Sequence, residues 1–274
     1  MMIKMGGGIS LLIREPDREN HKYPSCRIQN GLVLFHENID LSEEGVGFGV
    51  PILKFGMKTI FPGSGCMELK KFVDRIYVKI DYDFCLAETI VVKGRRIESR
   101  TLYKIKESLS WVHRKYPFSR KLLTQGSTAI RQTLGLETRF EEVASAGSAC
   151  VEYNISANGL IRVSADLRRI RKEGCTEVII MNEQGANYFD TYFDSNGTIL
   201  AGNKIGSWIE TSSDEASFKN SHNNIIFTLS RVRDSRMFYG REFVPNRLAW
   251  SGITYSISPL ISNFAYDISI CVDK

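Results

Sequence analysis

Short runs rich in Val, Ile, Tyr, Phe and Thr recur along most of this chain, separated by clusters of Gly, Asn, Asp or Ser. A chain patterned this way buries its apolar residues by pairing strands and packing sheets, because alternation at period two leaves no helical stripe. The runs are 9–14, 32–36, 50–55, 58–61, 72–84, 86–92 and 96–102, then 148–156, 160–167, 177–182, 188–193, 198–200, 207–210, 225–229, 236–243, 249–258 and 264–272. Asn158-Gly159 and Asn196-Gly197 supply the positive φ that tight hairpin turns require. In 151–167, "VEYNISANGLIRVSADL", Tyr153, Ile155, Ile161, Val163 and Ala165 alternate toward one face on either side of such a turn.

One stretch departs from this rhythm. Leu102, Ile105, Leu109 and Val112 recur at helical spacing, Pro117 breaks the pattern, and Leu122, Leu123, Ala129, Ile130 and Leu134 resume it before Gly135. The expected architecture is a mainly β, large antiparallel β-sandwich forming a single domain over 1–274, with a short helical insertion at about 102–135. At 43% hydrophobic and 24% charged residues, such a chain buries a sizeable core without metal or disulfide staples.

Several function classes lose support at once. Cys26, Cys66, Cys85, Cys150, Cys175 and Cys271 form no CxxC pair, and His21, His36, His113 and His222 have no metal-ligand spacing, so no zinc site is signalled. Gly45-Val46-Gly47-Phe48-Gly49 lacks the Lys-Ser/Thr of a phosphate loop and runs into a strand; no cofactor is implied. There is no Gly-x-Ser-x-Gly elbow. No run approaches the roughly 20 apolar residues of a membrane-spanning helix, and the N-terminal region lacks a secretory pattern, so the expected location is cytoplasmic. The net charge of +5 is mild but uneven, with basic clusters at 93–121 and at Arg168, Arg169, Arg171 and Lys172.

The stretch 178–200, "VIIMNEQGANYFDTYFDSNGTIL", holds the candidate chemistry. An apolar strand delivers Asn182, Glu183 and Gln184 to its exit beside Gly185, and alternation on the next strand puts Tyr188, Asp190 and Tyr192 on one face. Glu183 and Asp190 then offer a carboxylate pair for acid–base work and Tyr188 a stacking surface; the competing reading is a solvated hairpin. Glu43 and Glu44 are further wall candidates, and Trp250 and Tyr255 either fill the core or line a cleft.

This rhythm of long antiparallel strands, with "VEYNISANGLIRVSADL" midway and "LAWSGITYSIS" (248–258) late, resembles the galactose mutarotase-like β-supersandwich. The resemblance spans most of the chain but does not extend to the epimerase histidine motifs. It implies a carbohydrate-facing concave sheet, since the fold includes sugar epimerases and domains of polysaccharide lyases and glycosidases. On that basis Glu183 and Asp190 are the acid–base candidates, Asn182, Tyr188 and Trp250 contact the sugar, and Arg162 or Arg247 orients acidic groups. The expected partner is a carbohydrate or acidic polysaccharide, ahead of nucleic acid, and whether the cleft catalyses or only binds stays open. Two alternatives stand beside it: a non-catalytic module holding an anionic polymer through Arg95, Arg96, Arg100, Lys104, Arg114, Lys115, Arg120 and Lys121, or an assembly protein.

Overall fold

The computed structural model describes residues 2–14, 30–42, 47–56, 58–92, 95–96, 136–156, 158–244 and 248–273. The helical insertion expected at 102–135 lies outside these, as do Glu43, Glu44 and Arg247. Among the described residues, twenty strands occur in the order β1 (Met2–Lys4), β2 (Ile9–Arg14), β3 (Gly31–His36), β4 (Ile39–Asp40), β5 (Phe48–Phe55), β6 (Lys58–Lys71), β7 (Arg75–Val92), β8 (Arg95–Arg96), β9 (Leu136–Glu142) and β10 (Ser148–Ser156). They continue with β11 (Leu160–Asp166), β12 (Glu177–Gly185), β13 (Phe189–Asp194), β14 (Ile199–Ala201), β15 (Ile209–Thr211), β16 (Glu215–Asn220), β17 (Ile225–Ser230), β18 (Ser235–Val244), β19 (Leu248–Ile257) and β20 (Asn263–Val272). Among the described residues the only helical element is a 3-10 turn at Gly202–Lys204.

The pairings of these strands are all antiparallel and run through one continuous sheet folded into two layers. The first layer runs β6-β7-β10-β11-β20-β17-β16-β13-β14, and the second β1-β2-β3-β5-β12-β19-β18-β15. The β5–β6 hairpin, closed around Phe55 and Lys58, joins them. This is the expected sandwich, and Asn158-Gly159 and Asn196-Gly197 turn β10 into β11 and β13 into β14 as their chemistry requires.

Alternation decides what lies between the layers. Tyr153, Ile155, Ile161, Val163 and Ala165 all join the inter-layer core, as the hairpin pattern predicts. Aromatic rings close the gap: Phe48 of β5 meets Phe227 of β17 edge-on at 5.2 Å, Tyr192 of β13 stacks on Tyr239 of β18 at 3.8 Å, and Tyr255 of β19 tilts against Tyr266 of β20 at 4.8 Å. Each ring contributes roughly 1.5–3 kcal/mol through burial.

Two local features of the strands matter for the site. A register shift between Phe189 and Thr191 makes Asp190 a bulge, so Phe189 and Tyr192 both turn inward. Tyr192 therefore shares a face with Phe189, not with Asp190 as uninterrupted alternation predicts. On β12, Val178 and Ile180 are buried in the core while Ile179 turns to the other face, so this apolar strand is two-faced.

Candidate functional site

β12 continues past the expected exit to Gly185, so Asn182, Glu183 and Gln184 sit within the strand. Asn182 is 0% exposed and points between the layers. Its Oδ1 accepts from the Tyr266 hydroxyl at 2.6 Å and from the Gly49 N–H at 3.0 Å, which ties β12 to both β20 and β5. Gln184 extends the ladder sideways: Oε1 accepts the Leu34 N–H at 3.0 Å and Nε2 donates to the Leu32 carbonyl at 3.4 Å. Both amides satisfy backbone or buried groups that would otherwise cost free energy in a dry interior.

Glu183, between them, turns to the outer face of the second layer, where it is 5% exposed. Its cross-strand partner is Gly252 on β19, and Gly252 pairs in turn with Gly240 on β18. The two glycines are required by close approach. A Cβ on Gly252 would lie 2.4 Å from the Asn182 carbonyl oxygen and 2.9 Å from Glu183 Cγ. One on Gly240 would lie 2.5 Å from the Trp208 nitrogen and 3.1 Å from the Trp250 ring. Glu183 thus leans over one bare strand and the Trp250 indole over the next, and neighbouring strands are only ~5 Å apart.

The row ends at Trp208, whose ring stacks on Trp250 at 4.3 Å and 12°. Trp208 holds a left-handed φ of 46°, a conformation that costs a bulky residue free energy and persists only where its surroundings impose it. Trp250, 6% exposed, is sandwiched between Gly240 and Trp208, which leaves the half-buried Trp208 as the aromatic surface presented outward.

Alongside this glycine row the outer face changes character. Val33, Val50 and Ile52 are buried yet stand outside the inter-layer core. Met181 Sδ accepts from the Thr254 hydroxyl at 3.2 Å. At the far end Glu177 Oε1 accepts from Arg236 at 2.9 Å and from the Ser256 hydroxyl, while Arg236 also lies over the Phe238 ring.

The remaining sequence candidates fall elsewhere. Asp190 lies on β13 in the first layer, where its Oδ1 accepts the Ser221 hydroxyl at 2.6 Å and the Thr191 hydroxyl at 3.2 Å. Tyr188 is half-buried and packs against the inter-layer core. Arg162 stands on the outer face of the first layer, paired with Asp267 at 2.7 Å. So the fold unites Glu183 with Trp250 on one face and separates both from Asp190 and Arg162. Trp208 was not singled out from the sequence, because its signal, a tryptophan beside a cross-strand glycine, exists only once β18 and β19 are paired.

No protein-family model matches the chain, and no curated protein matches it. Among solved structures it is similar to the alpha-N-acetylgalactosaminidase NagBb from Bifidobacterium bifidum in its GalNAc complex, with a TM-score of 0.52 and 8% identity over 99% of this chain. The ligand-free form of the same protein gives a TM-score of 0.50, also at 8% identity over 99% of this chain. The likeness is one of fold. The chain spans 36% of the length of those structures.

The first layer's outer face offers a contrast. A depression of about 320 Å³ over β10, β11 and β20 is lined by Cys150, Glu152, Ser164, Asp166 and Asn263. Its neighbours are ion-paired: Asp81 with Lys79 and Arg169, and Asp166 with Arg168. Burial pushes the Cys150 thiol up to about 11, so it stays protonated at neutral pH and is a poor nucleophile. Among the described residues no group of His, Cys, Asp and Glu is arranged to hold a metal ion.

Proposed function

We propose that the outer face of the second layer binds a saccharide, with Trp208, backed by Trp250, as the stacking platform and Glu183 as the acid–base group. The observation that carries this reading is the glycine row, which removes two side chains from the middle of the face and lets Glu183 pack over Gly252 and the Trp250 indole over its cross-strand neighbour Gly240. A pyranose presents an apolar C–H face and a rim of hydroxyls, so a flat ring and a nearby carboxylate are the complementary pair. The fold likeness to an enzyme named for an N-acetylgalactosaminide supports a carbohydrate ligand. In this reading the sandwich is of the galactose mutarotase-like type, and the reaction is acid–base chemistry at a sugar. The proposal draws on Glu183 and not on Asp190, whose carboxylate is engaged in the other layer.

The test is a binding and turnover screen against neutral sugars, amino sugars and uronic-acid oligosaccharides at low and high salt. Binding of a neutral or amino sugar should survive high salt, and Glu183→Gln should keep binding while lowering turnover by about 10²–10⁴. Polyanion binding that fades with salt and ignores Glu183→Gln would move the function to the basic segment at 93–121.

A further inference from the structure

The β6–β7 hairpin ends in Lys70-Lys71-Phe72-Val73-Asp74-Arg75, with Phe72 and Val73 exposed at the apex and the Arg75 guanidinium over the Phe72 ring at 5.0 Å. The hairpin has neighbours at the same end of the sandwich. Arg75 pairs with Ser156, at the start of the β10–β11 turn that leads into Leu160. Gly159 in that turn accepts from the Ile270 N–H at 2.9 Å, which brings in the end of β20 and Val272. Val272 pairs with Ile225 and lies 3.2 Å from where a Cβ on Gly7 would stand. The Glu37 N–H donates to the Gly8 carbonyl at 3.1 Å, adding the β3–β4 turn and Ile39. Of the nine large exposed apolar residues among the described ones, five gather here: Ile39, Phe72, Val73, Leu160 and Val272.

Single exposed apolar residues need no explanation, but their concentration at one end does. They stand on separate turns, not in one smooth patch. A protein partner would have to match that contour over roughly 800 Å² per side, whereas a fluid lipid interface accepts each projecting side chain independently. The charges agree at the apex, where Lys70, Lys71 and Arg75 surround the single acid Asp74; elsewhere at this end Lys4 stands with Glu37, the Asp190 carboxylate is engaged by Ser221 and the Asp273 carboxylate is held by Lys219. We propose that this end of the sandwich is a peripheral docking face for an anionic lipid surface, with Phe72 and Val73 entering the interface and Lys70, Lys71 and Arg75 meeting the headgroups. The inference is independent of the saccharide reading.

Co-sedimentation with vesicles of phosphatidylcholine containing phosphatidylserine, and with phosphatidylcholine alone, tests it. The protein should pellet with the anionic vesicles, and the affinity should fall about tenfold in Val73→Asp and similarly in the pair Lys70→Glu, Lys71→Glu. Leu260→Asp, an exposed apolar residue outside this cluster, should bind as the unsubstituted protein does. These positions are exposed, so folding is checked simply by unchanged circular dichroism. No pelleting with anionic vesicles, or pelleting that all three variants share equally, overturns the proposal. A dimer in size-exclusion chromatography that Val73→Asp dissociates, without vesicle binding, would assign the face to a second copy of this chain instead.

Discussion

Gly240 and Gly252 each occupy a position where a methyl group would enter backbone, and backbone cannot rotate out of the way. Gly240→Ala places its Cβ against the Trp208 nitrogen and the Trp250 ring, so it should both destabilise the protein by about 1–3 kcal/mol and displace the indole stack. A thermal melt together with near-ultraviolet circular dichroism checks this; an unchanged melt and an unchanged aromatic spectrum would contradict the close packing. At this scale the sequence was half legible. Glu183 and Trp250 stand out by residue type, yet nothing local reveals that they share a face or that Asn182, one residue away, points into the core to meet Tyr266. Parity at Asp190 is not legible locally for a related reason: a bulge shifts every following side chain by one face, and it arises from pairing with β16, not from β13 itself.

At the scale of elements, most strands follow from β-branched and aromatic runs bounded by turn residues. The exceptions are informative. β16 reads Glu-Ala-Ser-Phe-Lys-Asn, too polar to signal a strand, and owes its place to β13 and β17 on either side. β6 continues through Pro62, Gly63 and Gly65, which fall outside the strand runs read from the sequence, because two register shifts absorb them against β7. β7 also carries the first layer's main ion pairs: Asp81 meets Arg169 at 2.6 Å and Lys79 at 3.0 Å. Burial alone would raise the Asp81 carboxyl, but the hydrogen bonds and charges of Lys79 and Arg169 outweigh it and hold the group below its ordinary value. A carboxylate whose folded value is depressed contributes stability that is fully present above about pH 4 and is lost as the pH falls through the folded value. Asp81→Asn should therefore cost less than about 1 kcal/mol at neutral pH, since the pair is partly solvated, and should shrink the drop in melting temperature between pH 6 and pH 3. The same acid slope in both proteins would contradict the account.

On the scale of the molecule, the two outer faces differ in kind. The first layer's is laced with ion pairs around Asp81, Asp166 and Arg162, a solvated face with its charges matched. The second layer's buries Val33, Val50 and Ile52 beside a row of glycines over which Glu183 and the tryptophan stack pack. The sandwich was legible because its strand rhythm is local, whereas the face proposed to bind saccharide was not, because its composition depends on which strands meet across two layers. That face is the centre of the account, and the chain's three tryptophans make it directly observable. In a Trp111→Phe background, emission comes from Trp208 and Trp250 alone, so a titration with the saccharides that bind reports on the stack itself. The account predicts a saturable change in emission and a loss of about tenfold in affinity in Trp208→Ala. Saccharide binding that leaves the emission unchanged, with the same affinity in Trp208→Ala, would place the ligand elsewhere and contradict it.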